Sequence, residues 1–370
     1  MKRAGQRICG WAGMILIAFL WGCSSESRIC QTVPADYGRL EYPLGTTWFN
    51  QTLVVASSNA RGIYCSAFLT LFSRDREQKA VIPLVFDRIN YSYLGEVKAD
   101  ATRGFLYLTD RLQDSLLVFR IEGEDLHFLR VVPISGEANE KGRGGADPFG
   151  LDINPRDGTV AVTATGSGDV IFYNAGAESE LGRVSLGSVY PIRVRFNPGG
   201  DHAWVTSDSG NYVYLLGLSP PALQSYFAGV SPGTAPVMAA RALWVGAEGV
   251  YVTAGSPQAL LFFDQTAGLE GAVALGEGVY PFDLESQGSR FFLSSPRRNE
   301  IWVLDRERGE TIKIISTLKT EGKLERGKGP SEIMIGPEPG RALVTGYESG
   351  DIIVLDLENL AVESYWTPGE

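Results

Sequence analysis

Short apolar runs recur along the chain, each closing on a small or hydroxylated residue: Leu53-Val54-Val55-Ala56-Ser57, Leu106-Tyr107-Leu108-Thr109, Val160-Ala161-Val162-Thr163, Ala203-Trp204-Val205-Thr206, Val250-Tyr251-Val252-Thr253, Phe291-Phe292-Leu293-Ser294 and Ala342-Leu343-Val344-Thr345. From Ser57 to Thr345 these seven copies lie 48 residues apart on average. A second apolar run follows each after a polar turn, as in Val170-Ile171-Phe172-Tyr173, Ile301-Trp302-Val303-Leu304-Asp305 and Ile352-Ile353-Val354-Leu355-Asp356. The turns, such as Gly166-Ser167-Gly168-Asp169 and Ser349-Gly350-Asp351, carry the Gly and Asp that hairpins use for positive φ. Pro148, Pro191, Pro236, Pro281 and Pro330 precede the first runs at spacings of 43, 45, 45 and 49 residues. Proline lacks the ladder donor, so it suits the first residue of a strand. Each repeat ends in a further apolar strand, for example residues 182–187 or 361–366.

Four strands per repeat, with no amphipathic helix of useful length, predict an all-β fold: a seven-bladed β-propeller with four antiparallel strands per blade. Two β-sandwiches would explain the strand count but not the fixed order of Pro, Val-Thr strand and Ile-Val-Leu-Asp strand. The predicted blades are approximately 46–92, 93–135, 148–190, 191–235, 236–280, 281–329 and 330–366. A closing strand from residues 40–44 is a further option for joining the ring. The combination resembles the YVTN-type propeller repeat, related in look to NHL and lactonase-like propellers. Pro281, Asp305, Pro330, Val344-Thr345 and Ile353-Val354-Leu355-Asp356 carry the resemblance best.

The N-terminus breaks this pattern. Lys2, Arg3 and Arg7 precede an apolar run from Ile8 to Leu20, the form of an export signal over residues 1–22. Leu20-Trp21-Gly22-Cys23 resembles the lipobox of bacterial lipoproteins, which implies acylation of Cys23 and a tether over residues 23–45; an uncleaved anchor is the other reading. Ser24 implies, by the same resemblance, the outer membrane, facing the periplasm or the cell surface. Loss of residues 1–22 removes three cations and no acid, taking the net charge from −10 to −13. So acidic a chain is not expected to bind nucleic acid or an anionic lipid surface through its own charges, so the lipid would hold it. Cys30 and Cys65 remain as a pair in an oxidising compartment, where a disulfide and two free thiols are both open.

Composition then limits the chemistry. The 44 Gly and 19 Pro among 370 residues suit turns and strand entries, and two His leave little for histidine-based metal or triad sites. No nucleophile elbow, phosphate loop or haem attachment motif occurs. Two long connections, residues 135–147 and 319–329, are expected on the face of the strand entries, where insertions in repeat proteins often bind. Arg193, Asp283 and Glu332 stand two residues after entry prolines, with Gly150 and Met238 at the equivalent places. Equivalent blades would bring them to the mouth of the central channel as a candidate ligand site. The lactonase-like resemblance implies a divalent cation such as calcium, with Asp283 and Glu332 as ligands of a metal-dependent hydrolase. Without that cation, mutual pairing of the charges is the simpler reading. The expectation is a monomeric, lipid-anchored envelope protein without cofactor or catalysis, binding an envelope protein or an extracellular ligand.

Overall fold

The computed structural model describes residues 40, 42–58, 67–84, 93–136, 145–187, 189–209, 212–228, 238–256, 258–338 and 340–367. The signal, Cys23, the Cys30 and Cys65 pair and Pro236 lie outside them. Seven four-stranded antiparallel sheets follow one another along the chain, each built from consecutive strands, so the fold is a seven-bladed β-propeller. The inner strands are Pro43–Phe49, Leu94–Asp100, Pro148–Ile153, Pro191–Phe196, Met238–Gly246, Leu284–Gln287 and Pro330–Ile335. Each neighbours the next around the axis, and the last returns to the first.

Second and third strands are buried on both faces, which is why they read as continuous apolar runs. The outer strand of blade six, Thr311–Ser316, is exposed along most of its length. Among the described residues seven hydrophobic clusters occur, one in each interface between adjacent blades. Fully buried side chains such as Leu117, Val162 and Ile353 each contribute about 1.5–3 kcal/mol relative to exposure. Gly168 and Gly350 take positive φ, 81° and 70°, in the turns where a side chain would strain the hairpin.

Residues 43–45 belong to the inner strand of blade one, not to the tether, and residues 40–44 give blade seven no closing strand. Among the described residues no strand is shared between first and last blades, and side chains join them. Leu40, Leu53, Val55 and Phe72 pack against Leu343, Ile352 and Val354, with Trp48, Met334 and Trp366 at the margin. Phe72 and Trp366 meet edge to face at 4.4 Å.

The repeated hydroxyl has a structural cause. Register shifts lie near the start of most inner strands, where a bulged residue loses its place in the ladder. Its N–H turns instead to the hydroxyl on the second strand: Glu96 to Thr109 at 3.0 Å, Gly150 to Thr163 at 2.7 Å, Ala242 to Thr253 at 3.0 Å, Asp283 to Ser294 at 3.1 Å and Glu332 to Thr345 at 3.0 Å. Several of these hydroxyls also donate to the next blade, as Thr109 does to the Phe149 carbonyl at 2.8 Å and Ser294 to that of Ser331 at 2.5 Å. One oxygen thus satisfies a buried amide and ties two blades. Blade one departs: the Ser57 hydroxyl is buried without a partner, and neighbouring Ser58 takes the Leu94 N–H at 2.9 Å.

Candidate functional site

The bulge residues project toward the axis, and their side chains decide what fills the channel. Arg193, Asp283 and Glu332 do converge there, but at 3%, 4% and 8% exposure they are buried inside the channel and not at its mouth. The bulge carries each one inward past the first residues of its strand. Gly150 occupies the equivalent place without a side chain, because a Cβ there would come within 2.3 Å of the Ile192 carbonyl oxygen. Met238 does not occupy it. Blade five begins its inner strand early, pairing Met238 with Ser256, and Ala242 stands at the bulge.

The fourth charged member, Glu96, has no proline before it and escapes a reading based on strand entries. The spacing of the hydroxyl does reveal it: Glu96 precedes Thr109 by 13 residues, as Glu332 precedes Thr345. Glu96 is 1% exposed and pairs directly with Arg193 and with Arg195, the latter at 2.8 Å. Arg193 also lies 3.7 Å from Glu332, and Phe149 and Phe282 flank its guanidinium at 5.4 Å each. A buried cation gains from two aromatic faces as well as from its carboxylates.

Every carboxylate in this group is tied to the backbone of a neighbouring blade. Glu96 accepts the Leu151 N–H at 2.6 Å, Asp283 that of Ile333 at 2.9 Å and Glu332 that of Thr46 at 2.8 Å. Asp152 does the same for Phe196 at 2.8 Å. The acids therefore lock blade to blade, from the second to the third, the third to the fourth, the sixth to the seventh and the seventh to the first. Burial lowers the affinity of Arg193 for its proton, with Asp283 and Glu332 opposing, yet a guanidinium stays charged. Burial and the nearby Asp283 push Glu332 up to about 7.

Two residues further along the strands, a second layer holds Lys98, Arg195 and Glu285, beside a cavity of about 210 Å³. Trp48 and Ile335 also line it, so it runs toward the ends of the inner strands and away from the side of the long connections. Burial and Asp283 raise Glu285 to about 7 as well.

Asp283 and Glu332 are already engaged by protein groups. One oxygen of each is held by a backbone amide, and Arg193 already supplies the positive charge beside them. Among the described residues no group of three or more His, Cys, Asp or Glu is arranged to hold a metal. His127 is 59% exposed on the outer strand of blade two, and His202 pairs with Asp201 at 3.1 Å away from the cavity lining.

On the opposite face, the connection over 135–147 is described only at its ends. Asp147 there holds Arg111 through two bonds of 2.6 and 2.8 Å. The other connection forms a small hairpin, Lys319–Glu321 with Leu324–Arg326, that stands outside the blades. Its base is fixed by the Thr317 hydroxyl on the Gly327 carbonyl at 2.7 Å and by the Tyr365 hydroxyl on the Thr317 carbonyl at 2.7 Å.

No family model matches the chain, and no curated protein sequence matches it. Solved structures do. Virginiamycin B lyase from Staphylococcus aureus is 10% identical, with a TM-score of 0.63 over 84% of this chain and 93% of its own. Hydrazine synthase of Kuenenia stuttgartiensis is 13% identical, with a TM-score of 0.66 over 88% and 99%. A protein from Lactobacillus plantarum is 15% identical, with a TM-score of 0.62 over 74% and 84%. At these identities the likeness is one of fold, and this fold carries enzymes as well as binding proteins.

Proposed function

We propose that this chain is a lipid-anchored envelope protein that serves as a rigid binding platform. Its propeller would present the long connections, above all the Lys319–Arg326 hairpin, to an envelope protein or an extracellular ligand. The observation that carries the reading is the use of the channel charges. Glu96, Asp283 and Glu332 are each committed to a neighbouring blade's amide around Arg193, an arrangement that stiffens a ring. A rigid scaffold with variable loops suits recognition. The S. aureus lyase is an enzyme, and a histidine-to-alanine form of it is described as catalytically inactive. Neither His127 nor His202 stands at the channel cavity here, so that precedent supplies no catalytic residue to this chain.

The test joins anchoring to recognition. In the full-length protein, Cys23→Ser is expected to shift the chain from the membrane to the soluble fraction. Replacing residues 319–326 by a short glycine linker is expected to abolish a specific in-membrane cross-link while leaving the melting temperature unchanged. Membrane retention of Cys23→Ser would overturn the anchor. Calcium that raises the melting temperature of wild type but not of Asp283→Asn would overturn the platform reading in favour of a metal site.

A further inference from the structure

The second layer of the channel differs from the first in one respect: part of its charge is uncommitted. Arg195 is held by Glu96 and by the carbonyls of Val194 and Leu151, at 2.8 and 3.3 Å. Lys98 and Glu285 line the same cavity, yet neither has an ion-pair partner among the described residues. They come from blades two and six, and Lys98 acts on Glu285 through space without forming an ion pair with it among the described residues. A buried or half-buried charge without a partner is unfavourable unless something else meets it. The cavity also holds Thr46, whose hydroxyl is buried with no hydrogen-bond partner. Met334 and Ile333 give it an apolar wall.

The size restricts what can enter. At about 210 Å³ the cavity is smaller than the 300–1,000 Å³ typical of drug-sized sites. A molecule of this size that answers both charges must itself carry both signs. We propose that the cavity binds a free amino acid or a similarly small zwitterion, with its carboxylate on Lys98, its ammonium on Glu285 and its side chain against Met334 and Ile333. This goes beyond the platform reading, because it uses the opposite side of the channel and needs neither anchor nor hairpin. Burial and Asp283 raise the proton affinity of Glu285 while Lys98 and Arg195 oppose them, and a ligand ammonium in direct contact would add to that opposition.

Calorimetric titration of the full-length protein in detergent, with a panel of the free amino acids and with acetate and ethylamine as single-charge probes, tests this. At least one amino acid is expected to saturate one site, with acetate and ethylamine about tenfold or more weaker, as loss of one charged hydrogen bond implies. Lys98→Gln and Glu285→Gln, checked for unchanged melting, are each expected to weaken that amino acid by about tenfold or more. No saturable amino-acid binding to wild type would overturn the proposal. So would acetate matching the amino acid, or undiminished binding in either folded variant. Were a variant unfolded, the comparison of probes on wild type decides alone.

Discussion

Replacing Thr109 by Val isolates the hydroxyl that ties blades two and three. The Thr109 side chain is fully buried, accepts the Glu96 N–H at 3.0 Å and donates to the Phe149 carbonyl at 2.8 Å. Valine keeps the shape and removes both bonds. The Glu96 amide is then a buried donor without a partner, costing about 1–3 kcal/mol, and the Phe149 carbonyl loses a bond worth about 1 kcal/mol. The added methyl returns a few tenths of a kcal/mol, since the site is already filled. The expected loss is about 2–3 kcal/mol. With a slope of about 3 kcal/mol per M, the urea midpoint falls by about 0.7–1 M. Thr70→Val is the matched control. Thr70 is 1% exposed, and its hydroxyl is buried with no partner. The same substitution there removes only a buried polar group and is expected to leave stability unchanged or raise it by about 1 kcal/mol. Equal midpoints for the two variants, or a Thr109→Val midpoint matching wild type, would refute the account of the repeated hydroxyl.

Two further outcomes follow from the channel and the ring closure. Glu285 and Glu332 hold their protons up to about 7 in the folded protein, above the 4.5 of a free carboxyl, so the folded state binds more protons between those values. Their contribution is full below about 4.5 and is lost as pH rises through about 7; stability from urea midpoints should decline over that window, and Glu332→Gln should flatten the decline. A profile rising through the window in wild type would contradict the burial of these acids. Trp366→Ala removes the edge-to-face contact with Phe72 where blades seven and one meet, and is expected to cost about 2–3 kcal/mol and to speed proteolysis between those blades. Unchanged melting and cleavage would mean that the closure rests on other contacts.

The strands, their number and their order were legible in the sequence because each depends on near neighbours. Apolar runs, turn glycines and a hydroxyl every 48 residues act within one hairpin. The site was half legible. Pro191 and Pro330 open their strands and Pro281 stands three residues before its own, so they pointed to Arg193, Glu332 and Asp283, whereas blade two opens on Leu94 and concealed Glu96. Blade five misled for a related reason: its inner strand begins before the bulge, so counting from Pro236 reached Met238 instead of Ala242. Partners were beyond reach. Glu96 and Arg193 are 97 residues apart, and Glu332 meets the Thr46 amide across 286. Those distances collapse only when seven blades close into a ring. Closure therefore decided which charges are matched in the lock, which are left open at the cavity, and that both lie inside the channel and not on its rim.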